Sequence, residues 1–152
     1  MINQPIRPAR DSDPAAIAAL VRRWKLEQQR TPSDDTIVEQ VVRLCTQGPA
    51  CDVLVGEIDG VVLGYVIVHW IPFPMLGGLE GYVSDLLVES AGRGAGLGSR
   101  LIDKVEALAR DKGCVRLMLN NAIAAESFQR GFYPKRGYRR RDEFANMVKV
   151  LG

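Results

Sequence analysis

The sequence predicts one α/β domain built on a mixed, largely antiparallel sheet flanked by helices, and three observations lead there. The first is size: 152 residues with 47% apolar content make a single domain, residues 1–152, that buries roughly 70% of its unfolded surface. The second is a pair of amphipathic helical stretches ahead of a hairpin rich in β-branched residues. The third is a strand that runs through a glycine-rich turn into a helix and on to another strand. Charged residues make up 25%, the average for soluble globular chains, so disorder, coiled coil and collagen-like repeats are excluded.

Each element has its own signal. After an extended piece at Ile6-Arg7-Pro8, Ser12-Asp13-Pro14 reads as a helix start, a capping side chain followed by proline at the first helical position. Ile17, Leu20, Val21 and Trp24 then recur on one helical face. Residues 31–35 interrupt the pattern, and Ser33 is the expected cap of a second helix whose stripe is Ile37, Val38, Val41, Val42 and Cys45, ending at Gly48-Pro49. Residues 52–58, the turn Asp59-Gly60 and residues 61–70 make the hairpin. Residues 71–78 hold two prolines and two glycines; they read as an apolar-tipped loop that cannot pair along its length and offers a floor for a substrate site.

Residues 82–88 form the next strand and residues 89–93 a short turn. Gly94-Ala95-Gly96-Leu97-Gly98-Ser99 opens a helix that buries Leu97, Leu101, Ile102, Val105, Leu108 and Ala109 and ends at Gly113. Residues 115–119 are a further strand, residues 126–133 a short helix stopped by Pro134, and residues 138–151 one or two closing strands.

Twenty basic against eighteen acidic residues give a net charge of +2, too small to argue for a nucleic-acid or membrane partner. The one dense basic run, Lys135, Arg136, Arg139, Arg140 and Arg141, reads as an exposed edge kept soluble by charge rather than as a phosphate site. Cys45, Cys51 and Cys114 suit neither a zinc ribbon nor a disulfide framework, so they read as buried thiols in a reducing compartment. The start Met1-Ile2-Asn3-Gln4-Pro5 lacks the features of a signal peptide, and no window approaches the roughly 18 apolar residues of a membrane helix; the expected location is the cytoplasm. A lone His69 leaves no histidine-based metal site or serine-histidine-aspartate triad to assemble, and it reads as a strand-end residue. No metal is expected.

The sharpest signal is the turn Arg93-Gly94-Ala95-Gly96-Leu97-Gly98-Ser99. Small residues at a helix N-terminus leave several N–H groups pointing one way, with the helix dipole adding partial positive charge, so such a turn accepts a phosphate or pyrophosphate. A P-loop is excluded because Ser99 follows Gly98 with no lysine between them. A dinucleotide fold is disfavoured because a five-residue turn intervenes after the strand and Asn120 stands where the ribose-binding acid belongs.

The pattern Arg-x-x-Gly-x-Gly, carried by Arg93, Gly96 and Gly98 after a strand ending Leu-Leu-Val, resembles the coenzyme-A motif of the GCN5-related N-acetyltransferase (GNAT) family. Downstream, Phe132-Tyr133-Pro134-Lys135-Arg136-Gly137-Tyr138 is similar to that family's second signature, and the element order follows the family over nearly the whole chain. The resemblance implies a sheet splayed at the cofactor site, with acetyl-CoA as co-substrate. It places the pantetheine arm on Leu86, Leu87 and Val88, the pyrophosphate on the turn from Arg93 to Ser99 (Gly94, Ala95, Gly96, Leu97 and Gly98 included), and polar contacts on Asn120 or Asn121. It also implies that Tyr133 lies near the thioester sulfur and protonates it.

The implied reaction is acetylation of a primary amine of a small molecule or peptide by direct attack. The amine must first lose a proton, since a lysine-like group has a reference pKa near 10.4. The strand offers Glu80, Tyr82, Ser84 and Asp85, and the expected base is Asp85, or Glu80 through water. Ser84 occupies the position where the diamine-acetylating branch carries a glutamate, and Glu126 to Arg130 depart from the family's usual asparagine and alanine, so polyamine specificity and cofactor contacts from that helix do not carry over. The alternative is a non-catalytic acyl-CoA sensor or scaffold. A homodimer is left open.

Overall fold

The computed structural model describes residues 5–152, so Met1 to Gln4, part of the start read above as lacking a signal peptide, lie outside the described residues. Five strands pair in the order β1 (Ile6–Pro8), β2 (Cys51–Ile58), β3 (Val61–Phe73), β4 (Gly78–Val88) and β5 (Arg116–Leu119). The first four are antiparallel neighbours and β4 pairs parallel with β5, which makes the sheet mixed and largely antiparallel. Helices α1 (Asp13–Glu27), α2 (Asp35–Cys45) and α3 (Leu97–Asp111) flank it, and α4 (Glu126–Gln129) follows β5 in sequence. The chain forms two compact units, one through Leu119 and one from Asn120 onward. No helix among the described residues is long and apolar enough to cross a membrane.

Alternation along the strands sorts side chains onto two faces. Val53 and Val55 of β2 and Tyr65 and Ile67 of β3 meet Ile17 and Leu20 of α1 and Val42 of α2 in one buried cluster. The opposite face receives α3 through Leu97, Leu101, Ile102 and Val105, all fully buried. Close approach of α3 explains Gly56, where a Cβ would lie 2.6 Å from Leu97 Cδ1.

Both helix starts differ from the sequence reading. Ser12 makes no side-chain cap; the buried Asp13 carboxylate instead accepts from the Arg10 N–H at 2.5 Å and pairs with Arg7 at 2.6 Å, tying α1 to β1. The cap of α2 is Asp34, whose Oδ1 accepts from the Thr36 N–H at 2.8 Å, because Ser33 is engaged by the Lys25 ammonium. Two of the five stripe residues on α2 face outward: Ile37 and Val41 are more than half exposed, since one short helix lays only a narrow band on the sheet.

Residues 71–78 are not a free loop. Ile71, Pro72 and Phe73 pair with Glu80, Leu79 and Gly78, and only Pro74–Leu76 form a 3-10 turn, closed by Gly77 at φ 70°. Pro72 is tolerated because the Trp70 N–H points toward β2, donating to Ala50, and so residue 72 faces the same side, past the last β2 pair at Cys51 and His69. The helix read over residues 126–133 is only the four residues of α4, with a separate 3-10 turn at Pro134–Arg136. Residues 138–152 form no strand: Arg139 and Arg140 pair locally with Glu143 and Asp142, and Val148, Val150 and Leu151 stay exposed, since β-branched residues make a strand only where a ladder partner is present.

Candidate active site

A one-residue irregularity in β4 creates the site. Ile67 pairs with Asp85 but Val68 pairs with Val83, so Ser84 is an extra residue, a bulge, on β4. On the other side, the register with β5 ends at Val83 and Leu119. Beyond that point β4 continues for five residues with no strand partner on that side among the described residues, so the sheet splays there. Leu86 and Leu87 pair on their other side with Val66 and Tyr65, and Val88 with Gly64. The edge of β4 from Ser84 to Val88 thus offers main-chain groups to a ligand that can lie in extended form.

The glycine-rich turn follows directly. Gly94 and Gly96 sit at φ 80° and 77°, where a side chain would be strained, and Gly96 is the N-cap of α3 without any side-chain cap. The first intrahelical bond runs from the Arg100 N–H to the Gly96 carbonyl, so the N–H groups of Leu97, Gly98 and Ser99 have no helical acceptor. Gly94, Ala95 and Gly96 are exposed, whereas Leu97 is buried and anchors the turn to the sheet. Arg93 is turned back: its Nε donates to the Val88 carbonyl at 3.1 Å and its guanidinium lies 3.7 Å from Glu27.

Around the bulge, polar side chains gather on the face that α1 and α2 cover. The Tyr65 hydroxyl donates to Asp85 Oδ2 at 3.0 Å. Burial, reinforced by that carboxylate, drives the Tyr65 phenol far above the ordinary tyrosine range. Glu80 is buried and pairs with Arg116 Nε at 2.5 Å. His69 lies between two partners, with Nδ1 3.1 Å from Cys51 Sγ and Nε2 2.8 Å from Ser84 Oγ. Beside it lies a shallow, open depression of about 380 Å³ lined by residues that include Ala50, Cys51, His69, Ile71, Pro72 and Tyr82. Of the segment expected to floor a substrate site, Phe73 and Met75 are not among these walls: Arg116 lies over the Phe73 ring and Met75 is almost fully exposed.

Among the predicted residues, Asp85, Glu80, Leu86, Leu87, Val88 and the turn from Arg93 to Ser99 belong to the first unit, and Asn120, Asn121 and Tyr133 to the second. Asn121 accepts from Ser127 Oγ at 3.0 Å. Tyr133 packs edge-on against Phe132 and Tyr138, and burial pushes its phenol up to about 12 against the opposing charge of Arg136. Sequence reasoning missed the cluster of Cys51, His69 and Ser84. Counting back from the turn at Asp59 and Gly60 pairs residue 51 with residue 68; a second bulge, between Gly56 and Glu57, shifts the register and brings His69 opposite Cys51.

The sequence model of the acetyltransferase (GNAT) family matches residues 16–138. Blasticidin-S acetyltransferase of Streptomyces morookaense is 38% identical over 86 residues, which cover 55% of this chain and 53% of that protein, so the chain spans about half of that relative. Thialysine N-epsilon-acetyltransferase of Bos taurus is 32% identical over 124 residues, 75% of this chain and 72% of that protein. Among solved structures, a transcriptional regulator from Bacillus halodurans C-125 superposes with a TM-score of 0.83 at 18% identity, covering 97% of this chain and all of that one. A predicted acetyltransferase with acetyl-CoA from Clostridium acetobutylicum gives a TM-score of 0.77 at 17% identity over 96% of each chain. At such identities these two likenesses speak for the fold.

Proposed function

The chain belongs to the acetyltransferase (GNAT) family, and on that premise we propose that it moves the acetyl group of acetyl-CoA to a primary amine of a small molecule or peptide. The observation that carries this reading is the adjacency of the splayed edge of β4 to the glycine turn of α3. Together they fit an extended arm that ends in a pyrophosphate. Leu86, Leu87 and Val88 would pair with the arm through their main chain. The N–H groups of the turn from Arg93 to Ser99 would hold the pyrophosphate, strengthened by the dipole of α3. Asn120 and Asn121 would add polar contacts.

When bound, acetyl-CoA supplies a thioester carbonyl and a thiolate leaving group. Main-chain N–H groups of the β4 edge would stabilise negative charge on the carbonyl oxygen of a bound thioester. By the family resemblance Tyr133 would donate its phenolic proton to the departing sulfur, and a phenol raised to about 12 would hold that proton throughout the neutral range. The amine's own proton leaves toward the α1 and α2 face of β4, where Asp85, and Glu80 through water, are the carboxylates at hand. The relatives named above act on blasticidin-S and on thialysine, which supports a small acceptor. Three free thiols suit a reducing compartment, and we place the protein in the cytoplasm.

The test is to assay a panel of primary amines for release of free thiol from acetyl-CoA. Turnover with at least one amine supports the reading. Saturable acetyl-CoA binding with no turnover across the panel would make the chain an acyl-CoA sensor instead.

A further inference from the structure

We infer that the proton of the acceptor amine leaves through Ser84 to His69, so that the base of this site is an imidazole held between Ser84 and Cys51; the inference rests on the transferase reading above. Both carboxylates already hold a neighbour: Asp85 accepts from Tyr65 at 3.0 Å and Glu80 is buried against Arg116 at 2.5 Å. Ser84 is the bulged residue of β4, exposed at the point where β4 loses its pairing with β5. A hydroxyl cannot take a proton from an ammonium by itself. Here, though, Ser84 Oγ lies 2.8 Å from His69 Nε2, and the same imidazole lines the open depression beside it.

The step balances without any outside reagent. The ammonium gives a proton to Ser84 Oγ while the Ser84 hydroxyl proton passes to His69 Nε2, which frees the nitrogen lone pair to form the C–N bond. His69 becomes an imidazolium and then returns the proton to solvent. This direction needs the tautomer with a hydrogen on Nδ1, which Cys51 Sγ accepts at 3.1 Å. Burial raises the Cys51 thiol, so the sulfur stays protonated and serves as a weak acceptor rather than a competing thiolate. Cys51 is therefore a positioning residue, and the short wall of Ala50, Ile71 and Pro72 leaves room for the acceptor's apolar body.

The groups facing His69 are few. On β2 there is Cys51, while Asp52 lies on the opposite face, where it accepts from Trp70 Nε1 at 2.7 Å. On β4 they are Tyr82, with ring centroids 6.0 Å away, then Ser84 and Asp85; α2 contributes Cys45 beside Cys51. The relay requires His69 to be neutral before it accepts the proton, so it predicts an acid limb in kcat/KM that belongs to His69.

His69 is the sole histidine of the chain, which makes the test direct. With an amine from the panel, kcat/KM is measured against pH, and the C2 proton of the single imidazole is titrated by NMR in the wild-type protein. Agreement of the two midpoints is expected; a kinetic limb that departs from the imidazole titration overturns the relay without any variant. His69→Gln should lower kcat/KM about 10²-fold and erase the acid limb, with acetyl-CoA affinity by calorimetry unchanged, and Ser84→Ala should lower it similarly. A folded His69→Gln protein that keeps both rate and limb overturns the relay alone. A wild-type protein that binds acetyl-CoA but acetylates no amine overturns the transferase reading and the relay with it.

Discussion

The hydroxyl of Tyr65 on β3 donates to the carboxylate of Asp85 on β4 at 3.0 Å, directly after the bulge at Ser84. The bond holds Asp85 at the start of the unpaired edge, and on the proposed function its charge would attract an incoming ammonium. Asp85→Asn keeps an oxygen for Tyr65 while removing the charge. We expect it to fold, to raise KM for cationic amines more than it lowers kcat, and to retain the acid limb of kcat/KM. Loss of that limb in Asp85→Asn, together with its survival in His69→Gln, would make the carboxylate the base.

Tyr133→Phe tests the proposed proton donor to the thiolate while preserving the ring contacts with Phe132 and Tyr138. The expected result is a kcat about 10²-fold lower with acetyl-CoA affinity unchanged. An unchanged kcat, with the chemical step shown to limit the rate, would leave Tyr133 a packing residue. The same variant has a stability signature. A phenol raised to about 12, against an ordinary tyrosine near 10, favours folding below pH 10, and that contribution is lost as the pH rises through 12. Urea midpoints between those pH values should therefore fall less steeply for Tyr133→Phe than for wild type.

Gly96→Val addresses the turn. No atom lies within 4 Å of the position a Cβ would take, but φ 77° is strained for any side chain and worst for a β-branched one. The variant should fold, since the position is an exposed helix cap, yet lose the rise in Tm that acetyl-CoA gives the wild type. An affinity equal to wild type by calorimetry would show that the pyrophosphate does not use this turn.

Arg7 bridges two acids, Asp13 at 2.6 Å and Glu57 at 2.5 Å, and so links β1, α1 and β2. Burial alone would raise the Asp13 carboxyl, but the Arg7 guanidinium and the Arg10 N–H hold it below the usual carboxylate range. The pair's contribution is present above the unfolded value near 3.9 and is lost as the pH falls through the lower folded value. Arg7→Met leaves two anions without their cation and should cost about 3–5 kcal/mol at pH 7. The gap to wild type should narrow toward pH 3, as urea unfolding at the two pH values would reveal. A gap that does not change with pH would mean the loss comes from packing.

Local signals accounted for most of the architecture. Periodicity found α1, α2 and α3, the Asp59-Gly60 turn found the hairpin, and the glycines at 94 and 96 marked a turn whose φ angles require them. Those features were legible because each depends on neighbours a few positions away in the chain. Capping was less legible: Ser12 and Ser33 have the right chemistry, but Asp13 and Asp34 took the bonds because Arg7 and Lys25 arrive from elsewhere. The tail has strand-like residues and no strand, since pairing needs a partner edge that no sequence pattern specifies.

The candidate site divides along the same line. The expectation that Tyr133, Asp85 and the glycine turn serve one site was read from motifs, each a short string of residue types. The contact of His69 with Cys51 and Ser84 was written in no string. It depends on two bulges, one between Gly56 and Glu57 and one at Ser84, each of which slips a strand register by one residue. A slip of one residue exchanges which side chains share a face. The residue types were therefore in the sequence, while their meeting on one face was decided only by the way the sheet accommodates its two extra residues.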